Sequence, residues 1–308
     1  MVKLYFAKFN INSNINEIDE GGIKDILQKL YIAIDDKVDY VKEIPTRYTD
    51  EDGEVQISFR EEKYNFSQIV KDDATKIITG WLVRRMPMHI EEFDIKERIS
   101  TPAVLDNTSA STMFYIDCER EIITFTTRLR LGYAQIMEAF EQLFGIYIGD
   151  VGFKIFLLKN PFSIDETLER MKKVHKITTT LIPPNAANRA ALQALLEEKS
   201  EELRDANVTT ETTIWETDKK NENGINKSSS RFKTFINLIK AFAEKGYGKT
   251  EIEGEDSNGN ITDFDSDKDA PFVENVSDAN KEDRATIIHV SNQGIQKLAI
   301  KSTLDNQE

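Results

Sequence analysis

The chain has 308 residues, 39% of them apolar and 31% charged, and carries a formal net charge of −14. That length accommodates two ordinary domains. The acidity argues against a protein that coats nucleic acid through bulk electrostatics, but leaves room for a local basic patch. Cys118 is the sole cysteine, which excludes an internal disulfide and fits a reducing compartment. No run approaches the roughly 18 apolar residues of a membrane span, so a cytoplasmic protein without membrane insertion is expected.

Lys3 to Ile11 alternates apolar and polar residues and reads as an opening strand. After Gly21-Gly22, the residues Ile23, Ile26, Leu27, Leu30 and Ile34 recur at helical spacing. Val38 to Val83 is β-rich. Asp50-Glu51-Asp52-Gly53 turns a hairpin between Tyr48 and Val55–Phe59, and Thr75 to Val83 is a further strand. Glu91 to Ser109 has no clear period and carries Pro102, so an irregular excursion is expected there. Thr112 to Ile116 and Glu121 to Thr127 form a hairpin. The next helix presents Tyr133, Ile136, Met137, Phe140, Leu143 and Phe144 as its apolar stripe. Gly145 and Gly149 close this unit, and a domain boundary is placed there.

In the second half, Val151 to Leu158 is a strand apolar enough for burial on both faces. Ser163 caps a helix bearing Ile164, Leu168 and Met171. Ile177 to Ile182 is a strand that ends in Pro183-Pro184-Asn185, and a helix follows over Ala187 to Asn207. Val208 to Trp215 is a strand and Lys219 to Ser230 a polar loop. Phe232, Phe235, Ile236, Ile239 and Phe242 mark another helix, which Gly246 stops. An acidic loop around Asp263, Asp265, Asp267 and Asp269 precedes a last pair of strands, Ala285 to Val290 and Gln296 to Ile300. The expected fold is α+β in two mixed domains: residues 1–149, β-rich with two helices, and residues 150–308, alternating strand and helix.

No motif for catalysis is present. His89, His175 and His289 share no ligand spacing with each other or with Cys118, so no metal site or cofactor is expected. Gly246-Tyr247-Gly248-Lys249 lacks the GxxxxGK[ST] of a phosphate loop. The acidic run lacks the glycine and glutamate positions of a calcium loop. Short carboxylate–lysine patterns such as Lys249 with Glu251 arise by chance in so charged a chain, so whether the protein is an enzyme stays open, with the balance against it. Pro183-Pro184 gives the strand a fixed exit and Asn185 a helix cap, which is a complete structural account. The rival is an anion site built from Asn185, Gly248 and Lys249. Basic residues gather at Arg84 and Arg85, at Arg128 and Arg130, at Lys172, Lys173 and Lys176, and at Lys227, Arg231 and Lys233. These are the candidate contacts to DNA or RNA, against the alternative of scattered solvated charge.

The order Ile182-Pro183-Pro184-Asn185, then Gly246-Tyr247-Gly248-Lys249 and Gly254, resembles a family of bacterial and phage proteins with the same strand, turn and glycine-aromatic segment. The layout also resembles the Rex-type phage-exclusion proteins, with Gly80-Trp81-Leu82-Val83-Arg84 as the glycine-aromatic strand. The resemblance implies a component of bacterial defence against phage, or of phage exclusion, that binds nucleic acid as sensor or regulator. It further implies self-association as a dimer or larger; work beside a co-encoded protein belongs to the interaction-subunit alternative. Alternatives are a nuclease or toxin effector, or a protein-interaction subunit of a larger complex.

Overall fold

The computed structural model describes residues 1–12, 20–49, 53–149, 151–160, 162–184, 194–218 and 220–304. The fold is α+β, built on two antiparallel sheets. The larger sheet has the order β12 (Val273–Val276), β1 (Val2–Ile11), β6 (Ile122–Thr126), β5 (Ile99–Asp117), β4 (Ile77–Asp94), β3 (Val55–Asp72) and β2 (Asp39–Thr49). β7 (Phe153–Leu157) also pairs with β1. β1 meets β6 along one edge over Leu4–Lys8. It meets β12 over Val2–Tyr5 and β7 over Ala7–Ile11 along the other.

Side chains of β1 alternate between two cores, as strand geometry demands. Ala7, Phe9 and Ile11 join α1 (Glu20–Ala33) and α2 (Tyr133–Ile148) in a core rich in rings, with Phe66, Phe114, Phe140 and Phe144. Each such ring contributes about 1.5–3 kcal/mol of transfer free energy when fully buried. Leu4 and Phe6 point to the opposite face, which α7 (Arg284–Leu304) covers with Ile287 and Ile295. Gly294 lets α7 approach this closely, because a Cβ there would run into the Phe6 ring.

The second sheet has the order β11 (Ile261–Asp265), β10 (Gly248–Glu255), β8 (Lys173–Leu181) and β9 (Glu211–Glu216). α3 (Phe162–Arg170) and α5 (Ser230–Glu244) pack Ile164, Leu168, Ile236 and Ile239 against its Val174, Ile177, Ile252 and Phe264. α4 (Ala194–Asp205) lies before β9 and α6 (Ser266–Asp269) after β11.

Four expectations need correction. The boundary at 149/150 does not separate the sheets, because β7 and β12 come from beyond it and complete the ladder of β1. The last strand pair is one helix, α7. Ile287, Ser291 and Ile295 are buried at four-residue spacing, and the β-branched run Thr286-Ile287-Ile288 masks that period. The acidic loop is β11 plus α6, with Asp267 buried against Lys159. The excursion at 91–109 belongs to two long paired strands, β4 and β5, which pair from Ile77↔Asp117 to Asp94↔Ile99 with a register shift between Met86 and Met88.

β3 and β4 pair only from Asp72↔Ile77 to Lys63↔Arg85. Two positions further along β4 stands Pro87, whose nitrogen cannot donate to a ladder. Beyond Arg85 the two hairpins part. β2–β3 forms one ribbon arm and β4–β5 the other, joined at the base of a fork.

Because β1 needs β7 and β12 to cover one edge, a fragment of residues 1–149 should not fold alone. It is expected to show no cooperative thermal transition by circular dichroism. A fragment melting sharply, with native near-ultraviolet signal, would restore the boundary.

Candidate nucleic-acid interface

The base of the fork is set by one buried carboxylate. Glu62 of β3 is 1% exposed and takes two hydrogen bonds from Arg84 of β4, from Nε at 3.0 Å and Nη2 at 2.5 Å. Tyr64 donates to it at 3.0 Å and Arg60 at 2.9 Å. Burial opposes ionisation of Glu62, but the hydrogen bonds from Arg84 and Tyr64 and the charges of Arg84 and Arg60 outweigh it. Its pKa lies below the ordinary value. Arg84 also donates through Nη1 to the carbonyl of Arg130, which ties the turn before α2 to the fork.

Above this base lies a cleft of about 640 Å³, lined by Thr46, Ser58, Phe59, Arg60, Glu61 and Lys63 from one arm and by Arg85, Met86, Pro87 and Val104 from the other. Arg85 uses Nη2 to hold Asp39 at 2.6 Å, and Lys63 meets Glu61 at 3.3 Å. The Nε atoms of Arg60 and Arg85 are both buried without a hydrogen-bond partner. Both guanidinium groups line the cleft with side chains about two-fifths exposed, Arg60 beside Glu62 and Arg85 beside Asp39. The arms carry exposed apolar side chains: Val55, Ile57 and Phe59 on one, Phe93, Ile95, Ile99, Val104 and Leu105 on the other.

The sequence-predicted basic residues are dispersed. Arg84, Arg85 and Arg130 meet at the fork, with Arg84 buried as a structural ion pair rather than open to a ligand. Arg128 is held by Glu282 at 2.5 Å. On the second sheet, Lys173 faces Glu255 at 3.2 Å and Lys176 faces Glu253 at 3.9 Å, both across the β8–β10 ladder. Lys172 is exposed beside them. Lys227 donates to the carbonyls of Leu168 and Met171 and so caps the end of α3. Arg231 lies over the Trp215 ring, itself stacked on Phe235 at 4.2 Å, and Lys233 is exposed on α5. Sequence reasoning missed Phe59, Arg60 and Lys63. Their only signal was a strand, Ser58 to Lys63, unusually dense in charge.

The two sequence motifs come together away from the fork. Ile182 donates to the Tyr247 carbonyl at 2.9 Å, and Leu181 pairs with Gly248. Pro183, Pro184 and Tyr247 are buried. Asn10 of β1 donates to the Gly246 carbonyl at 3.1 Å, and Gly246, with φ of +77°, lies against Lys8. This is the seam between the two sheets. Gly248 is buried with Leu181 filling the space a Cβ would need, and Lys249 pairs with Glu251 at 3.1 Å, so the pair does not cradle an anion. Asn185 lies outside the described residues.

No group of three or more His, Cys, Asp or Glu side chains able to hold a metal ion is found among the described residues. Cys118 is buried, and burial pushes its thiol up to about 12, far from a reactive thiolate. His175 pairs with Glu255 at 2.9 Å. No helix among the described residues is long and apolar enough to cross a membrane.

The family described as "Domain of unknown function (DUF4747)" matches residues 2–291. The chain belongs to this family. The DUF4747 match takes in both sheets, the seam and the whole fork. No curated protein matches the chain.

Replacing Glu62 with Gln strands the buried Arg84 charge and should cost about 3–5 kcal/mol at neutral pH. Since the folded pKa of Glu62 is depressed, its contribution is present above the unfolded carboxylate value and fades as pH falls through the folded one. Urea melts at pH 7 should therefore separate wild type from Glu62→Gln, and the gap should narrow as the pH falls below the ordinary carboxylate range. A gap unchanged with pH would refute this assignment.

Proposed function

We propose that the protein is a binding component that holds nucleic acid in the fork between its two ribbon arms. The observation that carries this reading is that three partly exposed cationic side chains, Arg60, Lys63 and Arg85, line one cleft between the arms. Arginine forks match phosphate oxygens as well as carboxylates, and phosphate contacts position a protein on nucleic acid. A net charge of −14 weighs against binding through bulk electrostatics and so favours a local site. The setting, defence against phage or phage exclusion in the cytoplasm of a bacterium, rests on the resemblance to the Rex-type proteins, as does self-association; a co-encoded partner belongs to the second reading.

A second reading, a protein-interaction subunit, draws on the exposed Phe93, Ile95 and Ile99 at the end of the β4–β5 arm.

Fluorescence anisotropy with labelled DNA and RNA at low salt tests the first reading. Arg60→Glu and Arg85→Glu should each weaken binding and lower the log–log salt slope by about 0.7–0.9 for every phosphate no longer neutralised. Lys172→Glu and Lys173→Glu, on the other sheet, should leave affinity unchanged. Absence of any shift at low salt would discard nucleic acid and favour the protein-interaction subunit.

A further inference from the structure

The geometry points to a single strand of DNA or RNA as the fork's ligand, with one base stacked on Phe59, an inference that rests on the nucleic-acid reading above. The first ground is size. A cleft of about 640 Å³ is the size of a small-molecule pocket, roughly 300–1,000 Å³, and takes one or two nucleotides rather than a duplex.

The second ground is the charge along the arms. Beyond Arg85 the β4–β5 arm continues through residues 86–94, roughly 30 Å at about 3.3 Å per residue. Its end carries Glu91, Glu92, Asp94 and Glu97 against Lys96 and Arg98. A duplex gripped between the arms would bring its phosphates to these carboxylates. A strand lying at the base, against Arg60, Lys63 and Arg85, avoids these four; the carboxylate lining the base is Glu61, which Lys63 pairs at 3.3 Å.

The third ground is Phe59. It is 66% exposed, lines the cleft between Ser58 and Arg60, and stacks on no other ring among the described residues. An aromatic face beside partly exposed cationic side chains, as Lys63 and Arg85 are here, is how proteins hold unpaired bases, stacking the base while the cation takes the phosphate. A paired base has no free face to offer, because its neighbours in the duplex cover both.

The test compares a labelled oligothymidylate, an oligouridylate of equal length and a mixed-sequence duplex of that length, all at low salt. The proteins are wild type, Phe59→Ala, Phe59→Tyr and Arg60→Glu. Both single strands should bind at least tenfold tighter than the duplex. Phe59→Ala should weaken them roughly tenfold and Phe59→Tyr should restore them, with melting temperatures unchanged because the side chain is exposed. The ratio of oligothymidylate to oligouridylate affinity tells DNA from RNA. Duplex binding as tight as single-strand binding, weakened by Arg60→Glu but not by Phe59→Ala, would overturn the single-strand inference and leave the nucleic-acid reading standing. A single-strand preference untouched by Phe59→Ala would overturn the stacking. No binding of any of the three would overturn both.

Discussion

Strand β1 is hydrogen-bonded along both edges and buried on both faces, and the rest of the molecule is arranged around that constraint. Its edges take β6, β7 and β12, and its faces take α1 and α2 on one side and α7 on the other. Two polar residues break its apolar run. Lys8 reaches Glu121 at 3.0 Å, with side-chain exposures of 10% and 4%, and Asn10 reaches across to Gly246. A buried ion pair contributes little net stability, since desolvation cancels most of the attraction, but a broken one is costly. Such pairs therefore favour one arrangement. Lys159 with Asp267 does the same on the far side of the seam, where burial pulls the lysine pKa down and the carboxylate pulls it back.

The fork follows from two local facts with opposite effects. Glu62 binds Arg84 across β3 and β4 and holds the strands together at its level. Pro87 comes three residues after Arg84 and removes a ladder donor, so pairing with β3 is not resumed. The arms then stand as two-stranded ribbons, which are marginal alone in water and gain from a ligand or partner between them. The open part of the protein thus sits at one end of the large sheet. The turns at the other end are tied down, with Tyr31 donating to Asp73 at 2.9 Å and Asp117 bound by Arg120 at 2.7 Å.

Most of the acidic excess does not bear on the candidate site. Glutamates of β10 neutralise the lysines of β8 across the ladder, and Asp39 takes up one end of Arg85. Those basic clusters of the sequence are consumed by neighbours that lie far away along the chain. Arg60 and Arg85 are paired too, with Glu62 and Asp39, but keep side chains about two-fifths exposed.

The sequence by itself determined the α+β class, the helices carrying Ile23 to Ile34 and Tyr133 to Phe144, and strands β1, β6 and β7. In these the apolar period is long and unbroken, and local pattern suffices. It also marked Pro183-Pro184 and Gly246-Tyr247 as special, because those residues restrict the backbone wherever they occur. Only the tertiary structure decided that the two motifs meet at one seam, since the hydrogen bond between Ile182 and Tyr247 joins residues with no local relation. The same holds for α7, whose β-branched residues suit strand or helix equally until Phe6 and Gly294 decide between them by close packing. It holds most of all for the fork. Whether an arginine is a buried structural ion pair, as Arg84 is, or stays partly exposed, as Arg60 and Arg85 do, depends on which carboxylate folds against it. That is a property of pairing across a sheet, and no one-dimensional pattern carries it.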